Sequence, residues 1–188
     1  MGYSTPEVAR LAQLALLLFW PALALALSPS RLQGPVAVLK VVDGDTVELA
    51  GLGRVRLIGI DAPESSPNER ARLQARQSGQ EVQEVVRLGL LAKRFTESLL
   101  RGKQVWLELD VQERDRYGRV LAYLYLEDPR GDWSYGGKRY RQVNLEILRA
   151  GWADPLTIPP NVRYAELYLE ASREARAKGR GMWGNPPP

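Results

Sequence analysis

Short alternating apolar segments and helical repeats follow one another in an order that predicts the fold class. Three segments are typical of strands, a helical repeat follows, two more strands come next, and helices close the chain. This order is that of a five-stranded OB-fold β-barrel with about three appended helices, a mainly β protein of the α+β class. The 188 residues, 45% of them hydrophobic and 26% charged, suffice for one such domain with a hydrophobic core.

The first three predicted strands follow one another between residues 36 and 60. The stretch VAVLKVV (Val36–Val42) predicts the first, TVELA the second and RVRLIGI the third. Alternation of apolar with other residues is typical of half-buried strands. Gly51-Leu52-Gly53 joins the second strand to the third, and glycines are suited to such a tight turn because they adopt conformations that other residues avoid.

The next part of the chain changes from a polar to a helical pattern. Residues Ser65 to Arg87 are polar, charged and weakly patterned, which predicts a long loop, with partial helix as the alternative. Apolar residues then recur at helical spacing, at Leu88, Leu91, Ala92, Phe95 and Leu99. Gly102 is expected to end that helix, because glycine commonly follows the last helical turn.

Two strands and two helices complete the domain. Residues 120–126 predict the fifth strand, and QVWLELD predicts the fourth, with one face formed by Val105, Leu107 and Leu109. The stretch VNLEILRAG predicts a short helix that Gly151 closes. Asn161 is expected to cap the last helix. The inward face of that helix is predicted to carry Tyr164, Leu167, Tyr168, Ala171 and Ala175.

The N-terminal segment differs from the rest of the chain in composition. Residues Leu11 to Ser28 carry no charge. Ala24-Leu25-Ala26 fits a small-x-small cleavage site, so an export signal is the first interpretation. An uncleaved membrane anchor is the second, because the run is near the length that spans a bilayer. The protein is therefore expected to be secreted or extracytoplasmic, with membrane association through residues 11–28 if the segment is retained.

The composition along the chain predicts four successive parts. A linker containing Pro, Ser and Gly separates the apolar N-terminal segment from the first strand. No internal repeat is visible in the sequence. The predicted parts are a signal peptide or N-terminal membrane anchor at 1–28, a linker at 29–35, the OB-fold domain at 36–184 and a Pro-rich tail at 185–188.

The residue types that are absent limit the chemistry. The chain has no histidine and no cysteine, which excludes Ser-His-Asp and Cys-His catalysis as well as zinc sites built on these residues. Hydrolysis would have to use carboxylates, arginines, tyrosines and a hard cation with oxygen ligands. The net charge of +4 and the sequence pI of about 9.5 favour an anionic partner.

Four acids and an arginine are gathered in the neighbouring stretches VVDGDTVEL and RLIGIDAPE. They are Asp43, Asp45, Asp61 and Glu64, with Arg56 between them. An Asp-Gly turn needs one acid and a glycine, and a Pro turn can begin with an acid. Turn formation therefore accounts for any one of these acids but not for the whole set.

Whether these side chains meet depends on strand geometry. Asp43 and Asp45 have the same strand parity and can face one pocket. Simple alternation puts Arg56 and Asp61 on opposite faces, so they converge only if the strand is irregular, and Gly59 is a candidate for a bulge or bend. Two carboxylates and a turn carbonyl, completed by water, would suit Ca²⁺.

A second charged constellation lies in DRYGRVLAYLYL, which runs from Asp115 to Leu126. The first five residues are typical of a tight turn that enters a strand, with Gly118 at the corner. On a structural interpretation, Arg116 and Arg119 are solvated and Tyr117 packs at the edge. On a functional interpretation, the three side chains present two cations and a stacking ring to a phosphate-bearing ligand.

These motifs together resemble those of the staphylococcal-type thermonucleases, a family of calcium-dependent phosphodiesterases. The likeness extends from Val36 to about Trp183 and is carried by VDGDTV, RLIGIDAPE, DRYGRVLAYLY, VNLEILRAGWA and AKGRGMWG. It implies an OB-fold endonuclease that uses one Ca²⁺ ion to hydrolyse DNA, RNA or both. The substrate would be single-stranded or locally opened, and nothing in the sequence indicates an obligate protein partner.

The resemblance implies which residues bind the metal. Asp45 and Asp61 match the metal-binding carboxylates of the family. Ala62 stands where the family supplies a backbone carbonyl, so its side chain need not matter. Asp43 matches an acid that lies near the metal without being a direct ligand. A hard cation with oxygen ligands is the kind of metal such residues favour.

The resemblance also implies which residues act on the substrate. Glu64 matches the proposed general base, and Arg56 and Arg119 match the two arginines that hold the scissile phosphate. Charge accumulates at phosphorus during hydrolysis, and fork-shaped guanidiniums can neutralise it. A carboxylate beside the metal can orient and deprotonate the attacking water. The chemistry therefore agrees with the implied roles.

The chain departs from the family where the nucleotide is expected to bind. After Gly151-Trp152-Ala153 the family has tyrosines that help hold the nucleotide, whereas this chain has DPLTIPPN. The segment Glu127–Arg141 is also longer than the family's turn, and it interleaves cations with Trp133, Tyr135 and Tyr140. These rings are candidates for stacking on bases. The alternative is a hairpin whose rings pack on the barrel.

A second class of function remains open at the level of sequence. The family includes OB modules that bind nucleic acid or protein after losing the catalytic set. Such a module would be expected to lack Glu64, an arginine or a metal-binding acid, and all are present here. The sequence therefore favours the enzyme, with a non-catalytic binding module tethered at the cell envelope as the alternative.

Overall fold

The computed structural model describes residues 29–184, which hold the predicted domain and the region predicted as a linker. The predicted export signal or anchor at 1–28 and the tail at 185–188 lie outside the described residues. Within residues 29–184, no helix is both long enough and apolar enough to cross a membrane.

Five strands close into a barrel, which confirms the predicted fold class. The barrel strands are β1 (Gln33–Asp43), β2 (Thr46–Leu49), β3 (Gly53–Leu57), β5 (Gln104–Glu108) and β6 (Val120–Glu127). Hydrogen bonds join them in the order β3-β2-β1-β5-β6, and a parallel pairing of β3 with β6 closes the ring. Closure removes exposed sheet edges, as in other OB folds.

The barrel core follows from the alternation of apolar residues in these strands. Side chains that are at most 3% exposed fill its interior, among them Val47, Leu49, Val55, Leu57, Val105, Leu107, Ala122 and Leu124. Burial of a Val, Leu or Ile side chain contributes about 1.5–3 kcal/mol. The core therefore provides a rigid base for the loops and turns that carry the charged constellations.

The first strand starts earlier than the sequence indicates. Gln33 already pairs with Leu107 of β5, so β1 includes the last three residues of the stretch predicted as a linker. The pairing shifts register between Gln33 and Val36. Pro35 lies at this irregularity, where a residue without a backbone N–H is tolerated. The proline masked the strand in the sequence pattern.

Four α-helices accompany the barrel, one more than the sequence predicts, and a short 3₁₀-helix follows them. Their bounds are α1 (Glu69–Ser78), α2 (Val82–Leu100), α3 (Val143–Arg149), α4 (Ala165–Ala177) and the 3₁₀-helix Gly181–Trp183. Residues 65–87, predicted as a long loop with partial helix, thus hold all of α1 and the first turns of α2. The loop prediction is wrong for most of this stretch.

Helix α1 is specified by its ends rather than by an apolar stripe. The Asn68 side chain accepts a hydrogen bond from Ala71 N and caps the helix, and Gly79 ends it in the left-handed conformation at φ 69°. The only buried residues of α1 are two alanines, Ala71 and Ala75, which pack against Val85 of α2. Two small residues give a weak hydrophobic pattern, which explains the error.

The start of α4 also differs from the prediction. Asn161 does not cap the helix, whose N-terminal cap position is Tyr164. The Asn161 amide instead accepts from Gln112 N and donates to Gln112 O, both at 2.8 Å. The amide thereby ties two loops together. The inward face of α4 is as predicted, with Tyr168, Ala171 and Ala175 buried and Tyr164 and Leu167 packed against the core.

Two small pairings of strands lie beside the barrel. Strands β7 (Trp133–Tyr135) and β8 (Lys138–Gln142) form a hairpin that extends the sheet next to β6. Strand β4 (Gly59–Asp61) pairs with β9 (Asp154–Leu156), so that Asp61 lies opposite Asp154. The segment that replaces the expected tyrosines is thus held against the strand that carries Asp61.

Gly59 breaks the third predicted strand into β3 and β4. It has φ 82°, a conformation that side chains other than glycine rarely adopt. An added Cβ would lie 2.5 Å from the ring of Tyr168 in α4. The backbone of Ile58, which precedes Gly59, is also held in place, because the Asn144 amide donates to Ile58 O at 2.8 Å. This junction sets the direction in which Asp61 leaves the barrel.

We expect Gly59→Ala to destabilise the protein more than Gly53→Ala. Both glycines have positive φ, so each substitution costs about 1–2 kcal/mol in backbone conformation. A Cβ at Gly53 meets no atom within 4 Å, whereas one at Gly59 meets Tyr168. Overpacking adds about 1–3 kcal/mol to the cost at Gly59. Urea unfolding measures both losses, and equal losses would contradict the importance of this contact.

Candidate active site

The Arg56 side chain lies at the centre of the acidic constellation. It projects from β3 and is 9% exposed. Its Nη2 donates to Asp61 Oδ1 at 2.7 Å and to Ile60 O at 3.1 Å, and its Nη1 forms an ion pair with Asp45 Oδ1. Arg56 and Asp61 therefore converge. The sequence predicted this only for a strand that is irregular at Gly59.

Asp45 is fixed by hydrogen bonds as well as by Arg56. It is 3% exposed. Its Oδ2 accepts from Ala62 N at 2.7 Å, and its Oδ1 accepts from Thr46 Oγ1 at 3.0 Å. Gly44 allows this close approach, because a Cβ there would lie 2.6 Å from the Ala62 Cβ. The Asp-Gly-Asp-Thr turn and the Asp61-Ala62 turn thus pack directly against each other.

The buried guanidinium and its acids depend on each other. Burial lowers the pKa of Arg56, while the nearby charge of Asp61 raises it. Arginine titrates so far above neutrality that Arg56 stays charged. A buried charge without a partner is costly, typically by about 3–5 kcal/mol when one member of a pair is removed. Asp45 and Asp61 therefore stabilise Arg56, and Arg56 holds them at a fixed separation.

Glu64 follows on the same turn and is held by three residues of the α1 region. Its Oε1 forms an ion pair with Arg70 Nε at 2.9 Å, and its Oε2 accepts from Asn68 Nδ2 at 2.9 Å. Its backbone N donates to Gln74 Oε1 at 3.0 Å. The turn also lies against α2, where a Cβ on Gly89 would come within 2.2 Å of Glu64 O. The Glu64 carboxylate is thus positioned rather than free.

Asp43 is the most peripheral acid of the set. Its Oδ1 accepts a hydrogen bond from Ser65 Oγ, which follows Glu64 in the chain. Asp43 lines the same open cleft as Asp45, Glu64 and Arg56. The structure therefore brings all four predicted acids and Arg56 to one place, with Asp43 at the edge of the group.

The sequence interpretation missed Asn68, Arg70 and Gln74. Arg70 contacts both Asp61 and Glu64, and Gln74 Nε2 donates to Ala62 O at 3.2 Å. They were missed because residues 65–87 were predicted as a loop. Asn68 followed by Glu69, with Gly79 ten residues later, is a helix-boundary signal that could have revealed α1. Arg70 and Gln74 then share one helix face.

Arg119 approaches the cleft from the turn before β6. Asp115 organises this turn, because its Oδ1 accepts from Tyr117 N and Arg119 N, each at 2.9 Å, and its Oδ2 accepts from Arg119 Nε at 2.7 Å. Gly118 supplies the corner at φ 80°. The terminal nitrogens of Arg119 have no hydrogen-bond partner among residues 29–184. They are therefore available to a ligand.

Tyr117 and Arg116 lie at the outer rim of the same turn. Tyr117 is 69% exposed. The Arg116 guanidinium lies 4.7 Å from the centroid of the Tyr117 ring, and the Arg119 guanidinium lies 5.7 Å from it. Both distances are typical of cation–π contacts. The exposed ring and the two cations fit the functional interpretation of this segment better than packing at the edge.

Two adjoining cavities, each of about 460 Å³, meet at the arginines. Arg56, Arg70, Tyr117 and Arg119 line both. The first is an acidic cleft that also contains Asp43, Asp45 and Glu64. The second has apolar walls that include Leu57, Leu121, Leu156 and Ile158. A phosphate at the arginines would thus have acids on one side and an apolar recess on the other.

The donor set fits a hard cation. Asp45, Asp61 and the Ala62 carbonyl supply oxygen ligands of the kind that Ca²⁺ prefers. Asp45 and Asp61 already share one cationic partner, the Arg56 guanidinium. Among residues 29–184, no three acidic side chains are grouped closely enough to form a ready metal cluster. A cation at this place would have to share or take over carboxylate oxygens that arginines contact here.

The structure contradicts the prediction that Trp133 and Tyr140 stack on bases. They are 1% and 3% exposed, and the Trp133 ring packs edge-on against Tyr125 and Tyr164 at centroid distances of 5.4 and 5.0 Å. Buried rings cannot stack on a ligand. Tyr135 is half-buried and packs against the core. The alternative, a hairpin that packs on the barrel, describes the segment.

The cations of this hairpin are also engaged within the protein. Arg141 pairs with Asp128, and Lys138 pairs with Glu127 at 2.9 Å. Arg139 donates to Gly131 O. Internal partners of this kind reduce what the hairpin offers to nucleic acid. The hairpin therefore extends the fold and does not replace the family's nucleotide-holding tyrosines.

Comparisons with known proteins assign the chain to a family. A model of staphylococcal nuclease homologues matches residues 54–185. The chain is 33% identical over 150 residues to a thermonuclease of Staphylococcus intermedius, across 78% of this chain and 74% of that protein. A thermonuclease of Staphylococcus hyicus is 32% identical over 152 residues, across 79% and 75% of the two chains.

A more distant relative comes from another genus. An uncharacterized endonuclease of Haemophilus influenzae is 29% identical over 160 residues, across 83% of this chain and 70% of that protein. The family match covers more than half of the chain. The chain therefore belongs to the family of staphylococcal nuclease homologues, and the predicted resemblance is confirmed.

We expect Asp115→Asn to lower stability at neutral pH but not in acid. Burial raises the pKa of Asp115, but hydrogen bonds from Arg119 and Tyr117 outweigh burial, so the pKa lies below its ordinary value. A lowered pKa in the folded state stabilises the protein above about pH 4, and this contribution disappears as the pH falls through the folded value.

Urea unfolding at pH 7 and pH 3 measures the effect. The expected loss at pH 7 is about 1 kcal/mol, the difference between a charged and a neutral acceptor. Asp132→Asn, in the exposed pair with Arg149, is the control and should change stability by no more than about 0.5 kcal/mol. A loss of the same size at both pH values would contradict the role of the Asp115 charge.

Proposed function

We propose that this protein is a metal-dependent nuclease that hydrolyses phosphodiester bonds of DNA, RNA or both. The observation that carries the proposal is the convergence of Glu64, Arg56, Arg119 and the acids Asp43 and Asp45 on one open cleft. Membership of the family supports a nuclease, as do relatives named thermonuclease and endonuclease. The absence of histidine and cysteine agrees with a mechanism based on carboxylates and arginines.

Glu64 would act as the general base. Its carboxylate lines the cleft together with Arg56 and Arg119, and its side chain is 16% exposed, so a water in the cleft can reach it. It would accept a proton from the water that attacks phosphorus. Positioned general bases contribute about 10²–10⁴-fold to rate. The backbone contact of Glu64 with Gln74 fixes the turn that presents this carboxylate.

Arg56 and Arg119 would bind the scissile phosphate and stabilise the phosphorane-like transition state. Arg56 is held by Asp45 and Asp61, and Arg119 is held through Nε by Asp115. Each guanidinium is thus oriented before substrate arrives. Preorganised donors stabilise developing negative charge without the cost of reorganisation. Their fork geometry also suits two phosphate oxygens better than a lysine would.

One Ca²⁺ ion is the proposed cofactor. Asp45, Asp61 and the Ala62 carbonyl would hold it, with Asp43 close by and waters completing the shell. The ion would supply positive charge that offsets the charge accumulating on the phosphate and would lower the pKa of bound water. The oxygen donors of this chain fit that role, since they include no nitrogen or sulfur ligand.

The substrate is proposed to be single-stranded or locally opened. The apolar recess beside the arginines is lined by Leu57, Leu121, Leu156 and Ile158, and the exposed Tyr117 ring stands at its rim. A base that has left its stack could lie against these side chains while its phosphate meets the arginines. Leu156 and Ile158 belong to the segment where the family has tyrosines, so aliphatic contact replaces aromatic contact.

The alternative is a non-catalytic OB module that binds nucleic acid or a partner at the cell envelope. Such a module would need only the basic rim and the recess. It would give no reason for Glu64 and the acids to lie within the same cleft as Arg56 and Arg119. The geometry therefore favours the enzyme.

We propose that the protein is exported, and that residues 11–28 either direct export or anchor it to a membrane. The proposal is supported by the uncharged run of residues 11–28 and the small-x-small motif at Ala24-Leu25-Ala26. This part of the chain lies outside the described residues. N-terminal sequencing of the protein recovered from its producing cell distinguishes cleavage from anchoring.

Digestion of plasmid DNA, single-stranded DNA and RNA by the purified protein tests the proposed activity. We expect cleavage with Ca²⁺ and none with EDTA, because without the ion the two arginines alone would have to offset the negative charge that develops on the phosphate. Failure to cleave any of the three substrates with any divalent cation would overturn the enzyme in favour of the binding module.

Glu64→Gln is the matched variant for the same assay. It keeps the shape of the side chain and removes its basicity, so cleavage should fall by about 10²–10⁴-fold. Glu69→Gln is the control, because Glu69 is an exposed residue of α1 that pairs with Arg72, and it should cleave at the wild-type rate. Cleavage by Glu64→Gln within about threefold of wild type would rule out the general-base role.

A further inference from the structure

Helix α1 places a third guanidinium among the acids of the cleft. Arg70 Nη2 forms an ion pair with Asp61 Oδ1, and Arg70 Nε forms one with Glu64 Oε1 at 2.9 Å. One side chain thus spans the proposed base and a proposed metal ligand. Arg70 lies in the stretch 65–87 that the sequence predicted as a long loop, and the resemblance assigns it no role.

The position of Arg70 is built into the fold. Asn68 caps α1 and also donates to Glu64 Oε2, while Gln74, one turn beyond Arg70, contacts Glu64 N and Ala62 O. Ala71 packs against the neighbouring helix. Three side chains of one short segment therefore face the turn from residue 61 to residue 64. Arg70 is the charged member of this set.

Arg70 differs from Arg56 in how easily it can leave. Both contact Asp61 Oδ1, but the Arg56 side chain is 11% exposed and the Arg70 side chain is 43% exposed. Moving Arg56 away would leave a buried charge without a partner, whereas Arg70 can turn into solvent or into the cleft at small cost. A cation that binds Asp61 would therefore displace Arg70 and leave Arg56 in place.

Once displaced, the Arg70 guanidinium would remain beside Arg56 and Arg119. Arg70 lines both cavities that meet at Arg56 and Arg119. After displacement from Asp61 and Glu64 it would still face the position proposed for the phosphate. Loss of the ion pair would also remove the arginine from Glu64 Oε1, while Asn68 would still donate to Oε2. Displacement of Arg70 from Asp61 by the cation would thus also change the contacts of Glu64.

We propose that Arg70 is a positioning residue that competes with the divalent cation for Asp61 and that, while it occupies Asp61, also holds Glu64. In the cation-free protein it neutralises both carboxylates and holds Glu64 in place. Binding of the cation to Asp61 displaces it and breaks its ion pair with Glu64. The inference rests on the proposed metal-dependent nuclease, because it needs a cation site at Asp61, but it concerns this chain's own arginine.

The affinity of the full-length protein for Ca²⁺, and for Tb³⁺ as a luminescent probe, tests the competition. Arg70→Gln should bind the cation about fivefold more tightly or better, because two ion pairs no longer oppose binding. Arg70→Lys should bind with an affinity between those of Arg70→Gln and wild type, since an ammonium keeps the charge but cannot bridge both acids in the same way. A residue with a purely structural role would weaken cation binding when removed.

Two controls separate competition from general charge. Arg72→Gln removes a cation from the same helix that pairs only with Glu69 among the described residues. Arg54→Gln removes a cation that lines the same acidic cleft, and no ion pair within residues 29–184 joins Arg54 to Asp61 or Glu64. Both should bind cation within about twofold of wild type at 0.15 M salt, where distant charges are screened.

Thermal unfolding provides a second readout that does not depend on the probe. Cation binding to the folded state raises Tm, and at a fixed cation concentration the rise grows with the logarithm of the affinity. The rise in Tm between EDTA and a fixed Ca²⁺ concentration should therefore be larger for Arg70→Gln than for wild type and Arg72→Gln. This readout also reports whether each variant is folded. If Arg70→Gln does not fold, Arg70→Lys is used for the test in its place.

The outcomes distinguish this inference from the proposed function. Suppose that wild type binds Ca²⁺ and cleaves DNA. Unchanged or weaker cation affinity in both Arg70 variants would then overturn only the proposed competition. An equal gain in the Arg54 and Arg72 controls would also overturn it, since the effect would then be general electrostatics. Wild type that neither binds Ca²⁺ nor cleaves would overturn the proposed function and this inference with it.

Discussion

The ion pairs of buried Arg56 with Asp45 and Asp61 are the constraint on which the rest of the site depends. A guanidinium that is almost fully buried in a barrel strand requires compensating charge. The two aspartates provide it from two separate turns, which pack together through Gly44 and Ala62. Folding of the barrel thus brings together the oxygens that a cation would need, whether or not a cation is present.

The barrel and the central acids could be predicted because their signals are local. Alternating apolar residues defined the five strands, and the excess of acids over what turns require pointed to a site. The sequence predicted a contact between Arg56 and Asp61 only if the strand that carries them is irregular. This contact depended on Gly59, which has a positive φ and lies directly against the Tyr168 ring of α4, more than 100 residues away in the chain.

The remaining features could not be predicted because tertiary contacts decide them. Helix α1 buries only two alanines, so it has almost no apolar pattern, and its residues Arg70 and Gln74 were missed with it. Trp133 and Tyr140 look like a stacking surface in sequence, yet the hairpin folds them into the core. Asn161 resembles a helix cap, but Gln112 in a neighbouring loop takes its amide.

A crystal structure of the full chain with Ca²⁺ and a non-cleavable phosphorothioate dinucleotide tests the proposed site most directly. We expect an ion bound by Asp45, Asp61 and the Ala62 carbonyl, with the phosphate between Arg56 and Arg119 and the Glu64 carboxylate facing a water near phosphorus. An ion bound elsewhere, with Asp45 and Asp61 still paired only to arginines and the phosphate away from Arg119, would contradict it.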